Sequence, residues 1–172
     1  IIAEKHQSLF IEELDDFINK VRIFGFHFAT LDIRQDSRVH HTAFTQIVKD
    51  LQNIGDTTFP KNYEFLPEEE QIEILSVVKG SIDPKMLTDD TSVSTIESIY
   101  ALKEIQLRNG ERGANRYIIS NNQTALNVME TFAMLNLCGF ENELPVDVIP
   151  LFETVEDLQN AAKVMRTLYK NR

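Results

Sequence analysis

The sequence runs to 172 residues, with 42% hydrophobic and 26% charged side chains, a mean hydropathy of -0.22 and a formal net charge of -10. This is the composition of one globular domain long enough to bury a core; six Gly, five Pro and one Cys exclude a collagen-like, low-complexity or disulfide-scaffolded chain. An acidic chain with no long apolar run and no signal-peptide pattern argues against nucleic-acid and membrane partners, and predicts a cytoplasmic protein.

Ile1, Ile2, Phe10, Ile11, Leu14, Phe17, Ile18 and Val21 recur at spacings of three, four and seven. They predict one amphipathic helix over residues 1 to 22, ended by Gly25. The sequence opens at Ile1, without Met and already inside this pattern, so it reads as a piece of something longer. Phe24, Phe26 and Phe28 alternate, as do Leu31 and Ile33, and predict a strand that stops near Arg34, with His27 as a wall residue within it. The segment SRVHHTAFTQIVKDLQNIG predicts a helix with Ser37 as its cap and Gly55 as its stop.

Pro67, ahead of three glutamates, predicts the first position of another helix, closed by Gly80. Residues 94 to 109 predict a further one, with Ser94 and Glu97 spaced as a capping box and Gly110 beyond its end. RYIIS (116 to 120) reads as a strand, 123 to 137 as a helix ending at Gly139, and VDVIPLF (146 to 152) as a third strand. Thr154 and Asp157 then cap a last helix. Strands alternating with helices predict an α/β fold with a parallel sheet, its first crossover enlarged by extra helices. The chain shows no internal repeat, flexible linker or second domain.

In such folds reacting groups gather at the carboxyl ends of the strands. Arg34, Ser120 and Glu153 hold those positions. An arginine fork matches phosphate or carboxylate, and a glutamate oxygen suits Mg²⁺, so together they could hold a small anion and a divalent metal. Each also has an ordinary structural role open to it. Arg34 could pair with Asp36, Ser120 could bond the local backbone, and Glu153 could favour the N-terminus of the following helix. His40 and His41 are helix neighbours about 100° apart, which fits a surface or groove role better than one shared metal. Cys138, among apolar residues at a helix end, reads as a packed thiol. Without GxGxxG, Walker or GxSxG patterns, nucleotide binding and triad hydrolysis find no support.

Taken together, FGFHFATLDIRQDSRVH, YIISNNQTALNVM and PLFETVEDLQNAAKVM resemble three consecutive strand motifs of the phosphoenolpyruvate carboxylase family, across roughly residues 20 to 165. Asn121, Leu126 and Asn127 stand where that family usually has Met, Ser and Asp. The resemblance implies a helix-rich partial TIM-type barrel with about three parallel strands, cut from an enzyme that joins phosphoenolpyruvate and bicarbonate into oxaloacetate and phosphate. It implies that Arg34 grips the substrate phosphate, that Glu153 binds Mg²⁺ or Mn²⁺, and that Gln35 and Ser120 support the strand ends. The family's catalytic histidine segment, second metal-binding acid and glycine- and arginine-rich loop have no counterpart here. Residues 1 to 172 are therefore expected to be one inactive fragment of a larger homo-oligomeric enzyme, with the rest of the parent chain as its partner. Two other readings stay open: a non-catalytic α/β assembly module, and a different metal-dependent lyase acting on another keto acid.

Overall fold

The computed structural model describes residues 2–25, 29–140 and 145–170. Two helices, α1 (Ile2–Lys5) and α2 (Ile11–Phe24), precede strand β1 (Asp32–Asp36). Helices α3 (Ser37–Asn53), α4 (Glu68–Val77) and α5 (Asp90–Asn109) fill the first crossover. Then come β2 (Arg116–Ser120), α6 (Ala125–Leu137), β3 (Asp147–Pro150) and α7 (Val155–Lys170). The three strands form one sheet in the order β1-β2-β3, and both neighbouring pairs are parallel. The alternation of strand and helix expected from the sequence thus gives the expected parallel sheet.

In the register, Ile33 lies beside Tyr117 and Tyr117 beside Val148, while Arg34, Ile118 and Ile149 form the next row. Successive side chains on a strand point to opposite faces. Tyr117 belongs to the buried core with Ile33 and Val148 packed against it, so the row that carries Arg34 faces away from that core. The core itself is built by α3 (Phe44, Ile47, Val48), α5 (Ile96, Ile99, Leu102) and α6 (Ala133, Met134, Leu135). Phe44, Phe59 and Tyr63 pack edge to face, with Phe59 and Tyr63 ring centres 5.2 Å apart.

Several boundaries differ from the sequence reading. The single helix expected over residues 1 to 22 is two, because Gln7, Ser8 and Phe10 take left-handed backbone angles that cannot continue a right-handed hydrogen-bond ladder. Ile1 lies outside the described residues. Phe24 is the last residue of α2, and Gly25 follows as its cap with its N–H on the Val21 carbonyl. Phe26, His27 and Phe28 also lie outside the described residues. Among the described residues the first strand occupies Asp32–Asp36, where the ladder with β2 forms, and runs two residues past Arg34. β3 is likewise shorter than the expected 146 to 152.

Two caps fall on an aspartate upstream of the serine expected. Asp36, not Ser37, caps α3, its Oδ1 accepting the Arg38 N–H at 2.8 Å. Asp89 caps α5 by accepting the Ser92 N–H at 2.9 Å, which leaves Ser94 and Glu97 inside the helix. Pro67 is the residue before α4 rather than its first member, and α4 ends at Val77, ahead of Gly80. α6 starts at Ala125, with Asn127 Oδ1 accepting the Thr124 N–H at 3.2 Å. The Thr154–Asp157 cap forms as expected: Thr154 Oγ1 accepts the Asp157 N–H at 3.1 Å and Asp157 Oδ2 accepts the Thr154 N–H at 3.0 Å.

Candidate active site

Arg34 leaves β1 on the face turned away from the helical core, and Glu153 stands just beyond the end of β3. Between them is the end of β2, at Ser120. The parallel order of the sheet therefore brings together two side chains 119 residues apart: Arg34 Nη2 donates to Glu153 Oε1 at 2.7 Å. Of the ordinary roles open to Arg34, pairing with Asp36 is not the one observed. Asp36 is taken by Arg38 at 2.7 Å, and the Arg38 hydrogen bond, partly offset by burial, lowers its carboxyl to about 2.

The Arg34–Glu153 pair is open to solvent, its side chains 56% and 41% exposed. Exposed pairs of this kind contribute only about 0–1 kcal/mol to folding. An incoming phosphate or cation can therefore replace either partner at small energetic cost. The second Glu153 oxygen, Oε2, accepts the backbone N–H of Asn121 at 3.1 Å, so the carboxylate is held at both oxygens. Glu153 also lies one residue before the cap of α7, and its own N–H reaches Asp157 Oδ2 at 3.3 Å.

Ser120 and Gln35 lie at the same strand ends without turning toward the ion pair. Ser120 Oγ donates to the Gln35 carbonyl at 3.3 Å, a long contact, and Gln35 Oε1 accepts the neighbouring Asp36 N–H at 2.9 Å. Sequence reasoning missed Asn121 and Ser37. Ser37 is buried and donates through Oγ to the Asn121 carbonyl at 2.6 Å. Asn121 takes a left-handed φ of +53°, a conformation Asn reaches more readily than most residues. The available signal was the Asn pair directly after a strand-ending serine, a turn-forming run.

The two histidines diverge as adjacent helix positions must. His40 falls in the series Ser37, His40, Phe44, Ile47 and Leu51 on the buried face of α3, so the surface or groove role fails for it. Its ring nitrogens bond Thr131 Oγ1 and Tyr117 Oη, each at 2.9 Å, and burial lowers its pKa to about 4. His41 is exposed and meets the buried Glu130 carboxylate at 2.7 Å, a hydrogen bond that raises the His41 pKa. Burial raises that of Glu130. Cys138 is the packed thiol expected, pushed up to about 12 by burial.

Among the described residues no group of three or more His, Cys, Asp or Glu is arranged to hold a metal ion. The rim thus fits a divalent cation only as a contributor of one carboxylate. That agrees with the habit of Mg²⁺, which takes one or two carboxylates and completes its shell with water and phosphate oxygen.

A family model described as phosphoenolpyruvate carboxylase matches residues 1–172. Among curated relatives, the phosphoenolpyruvate carboxylase of Synechococcus sp. is 33% identical over 174 residues, which cover 96% of this chain and 16% of that protein. The namesake from Parasynechococcus marenigrum is 33% identical over 171 residues, covering 95% and 16%. That of Synechocystis sp. is 32% identical over 165 residues, covering 91% and 16%. The chain therefore spans about a sixth of the length of these relatives.

Proposed function

The chain belongs to the phosphoenolpyruvate carboxylase family, and from that premise we propose that its parent protein carboxylates phosphoenolpyruvate with bicarbonate, giving oxaloacetate and phosphate in the cytoplasm. This segment contributes one side of the active site. The observation that carries the reading is the ion pair of Arg34 with Glu153 across the carboxyl ends of the outer strands. A guanidinium that is fixed at a strand end yet exchangeable is suited to take a phosphate group by paired hydrogen bonds. The carboxylate it releases is then free to serve a cation beside that phosphate.

Glu153 would hold Mg²⁺ or Mn²⁺ as one oxygen ligand, the remaining positions being filled from elsewhere in the parent and by substrate. When bound, such an ion supplies positive charge toward which electron density on a substrate oxygen can build. Arg34 orients the phosphate and offsets its charge as it departs, a task that depends on donors already in place. Gln35 and Ser120 support the strand ends from which these two groups project. The sheet itself we read as an arc of an eight-stranded barrel, with the row Arg34–Ile118–Ile149 facing its interior and the helices outside. The complete enzyme is a homo-oligomer in this reading.

The test uses the full-length parent. Arg34→Gln should raise the KM for phosphoenolpyruvate about tenfold or more, the scale of a lost charge-assisted contact. Glu153→Gln should raise the metal concentration needed for half-maximal rate. Unchanged kinetics for both, in correctly folded enzyme, would remove the assignment. Residues 1 to 172 alone should form no oxaloacetate above background in a coupled assay with malate dehydrogenase.

A further inference from the structure

We propose that Asn121 is a positioning residue: its backbone N–H, presented by a left-handed turn that the Ser37 hydroxyl locks, fixes the Glu153 carboxylate in the orientation that receives a divalent cation. The inference rests on the reading of Glu153 as a metal ligand given above. Its substance is one residue gripped from two directions. The Asn121 carbonyl accepts from Ser37 Oγ at 2.6 Å, and the Asn121 N–H donates to Glu153 Oε2 at 3.1 Å.

Ser37 is 3% exposed, so its hydroxyl has a protein partner in place of bulk water. The following residue, Asn122, is fully buried and ties the loop down again, through its N–H to the Leu151 carbonyl at 3.4 Å and its Nδ2 to the Thr124 carbonyl at 3.3 Å. The turn is thus anchored to the β1 side by Ser37 and to the β3 side by Leu151. A φ of +53° ends β2 sharply and aims the amide across the rim at Glu153. The Asn121 amide on Oε2 is the contact that Glu153 keeps when Arg34 turns to the phosphate and leaves Oε1, so the carboxylate stays oriented. An oxygen that accepts one N–H keeps a further lone pair for a cation. Donors behind a metal ligand commonly set its orientation, and losing one typically costs about 10–100-fold in metal affinity.

Binding of Mn²⁺ alone to metal-free, full-length parent protein decides the matter, read from the free-ion electron paramagnetic resonance signal without turnover. Ser37→Ala and Asn121→Val should each weaken Mn²⁺ binding about tenfold. Asn121→Gly should stay within about twofold, because Gly adopts positive φ readily and keeps the N–H. Glu153→Gln sets the scale of full loss. If Glu153→Gln weakens binding while Ser37→Ala and Asn121→Val bind like wild type, the positioning role is overturned and Glu153 stands as a ligand. If Asn121→Gly loses as much as Asn121→Val, the side chain and not the turn is at work, and the proposal falls. If Glu153→Gln also binds like wild type, the ligand assignment fails and the proposal with it. Should Asn121→Val not fold, Ser37→Ala against Asn121→Gly separates the same outcomes.

Discussion

Helices α2 and α6 are 14 and 13 residues long, and both place apolar side chains on every turn, yet they end in opposite situations. α6 is apolar nearly all round, and ten of its residues are buried. α2 buries none. Its stripe of Ile11, Leu14, Phe17 and Val21 lies exposed, opposite a face carrying Glu12, Glu13, Asp15 and Asp16. The hydrophobic pattern specifies the face a helix offers. It does not specify whether a neighbour is there to receive it. α6 sits where α3, α4 and β3 converge on it, and each of its turns meets an element contributed from elsewhere in the sequence.

The largest expected effect sharpens this contrast directly. Leu135→Ala, at a fully buried α6 position, should cost about 2–5 kcal/mol in urea unfolding. Phe17→Ala, at a site 63% exposed, should cost less than about 0.5 kcal/mol. Equal losses would break the comparison and show that the α2 stripe is covered in solution.

The second prediction concerns the ties that fasten α6 to its neighbours. His40 of α3 bonds Thr131 of α6, and its folded pKa of about 4 lies below the ordinary 6.5. The unfolded chain therefore binds more protons than the folded one between those values, so stability rises with pH through that window and is lost as pH falls through it. The His40 contribution to the urea midpoint should climb from pH 4 to 6.5, so wild type should rise more steeply there than His40→Leu; the raised Glu130 carboxyl works in the opposite direction in both proteins and drops out of that comparison. Asp36 does not confuse the reading, since its own change lies between 3.8 and about 2. A slope unchanged in His40→Leu would show that another group controls this window.

Helix α5 lies between the extremes, with one buried face. Asp89→Ala should lower stability by about 1 kcal/mol through loss of the cap, while Ser94→Ala should be near neutral. The reverse ranking would restore the later helix start expected from the sequence. The smallest effect belongs to α2. Lys20 pairs with Asp16 at 2.6 Å on its exposed surface, so Lys20→Ala should cost only about 0.3–0.5 kcal/mol. A larger loss would mean that α2 is held by more than local terms.

These contrasts also explain what the sequence could and could not disclose. β2 was legible to the residue because RYIIS is short, β-branched and bounded by polar turns. For β1 the end near Arg34 was legible but not the helical place of Phe24, because strand position depends on the partner ladder, and that partner is β2, far along the chain. The cap of α5 was misread because Asp89, Asp90, Ser92 and Ser94 all compete for one role, and only the fold shows which side chain turns inward. Arg34 and Glu153 were legible as strand-end groups. Their ion pair was not, because it depends on sheet order, and the Asn121 amide was not, because backbone direction leaves only a faint trace in residue type.

The order of the strands bears on how the chain reaches this state. β2 meets β3 across the short stretch from Tyr117 to Val148, whereas β1 meets β2 across the much longer stretch from Ile33 to Tyr117. A loop nearly three times longer costs about 1 kcal/mol more to close. Entropy therefore favours β2–α6–β3 as the unit that assembles first, and pulsed hydrogen exchange should find the amides of β2 and β3 protected before those of β1. Arg34 lies on β1 and Glu153 just beyond the end of β3, two strands that are not neighbours in the sheet. In this order their pairing waits for both ladders, so an intact pair reports that the whole sheet has closed.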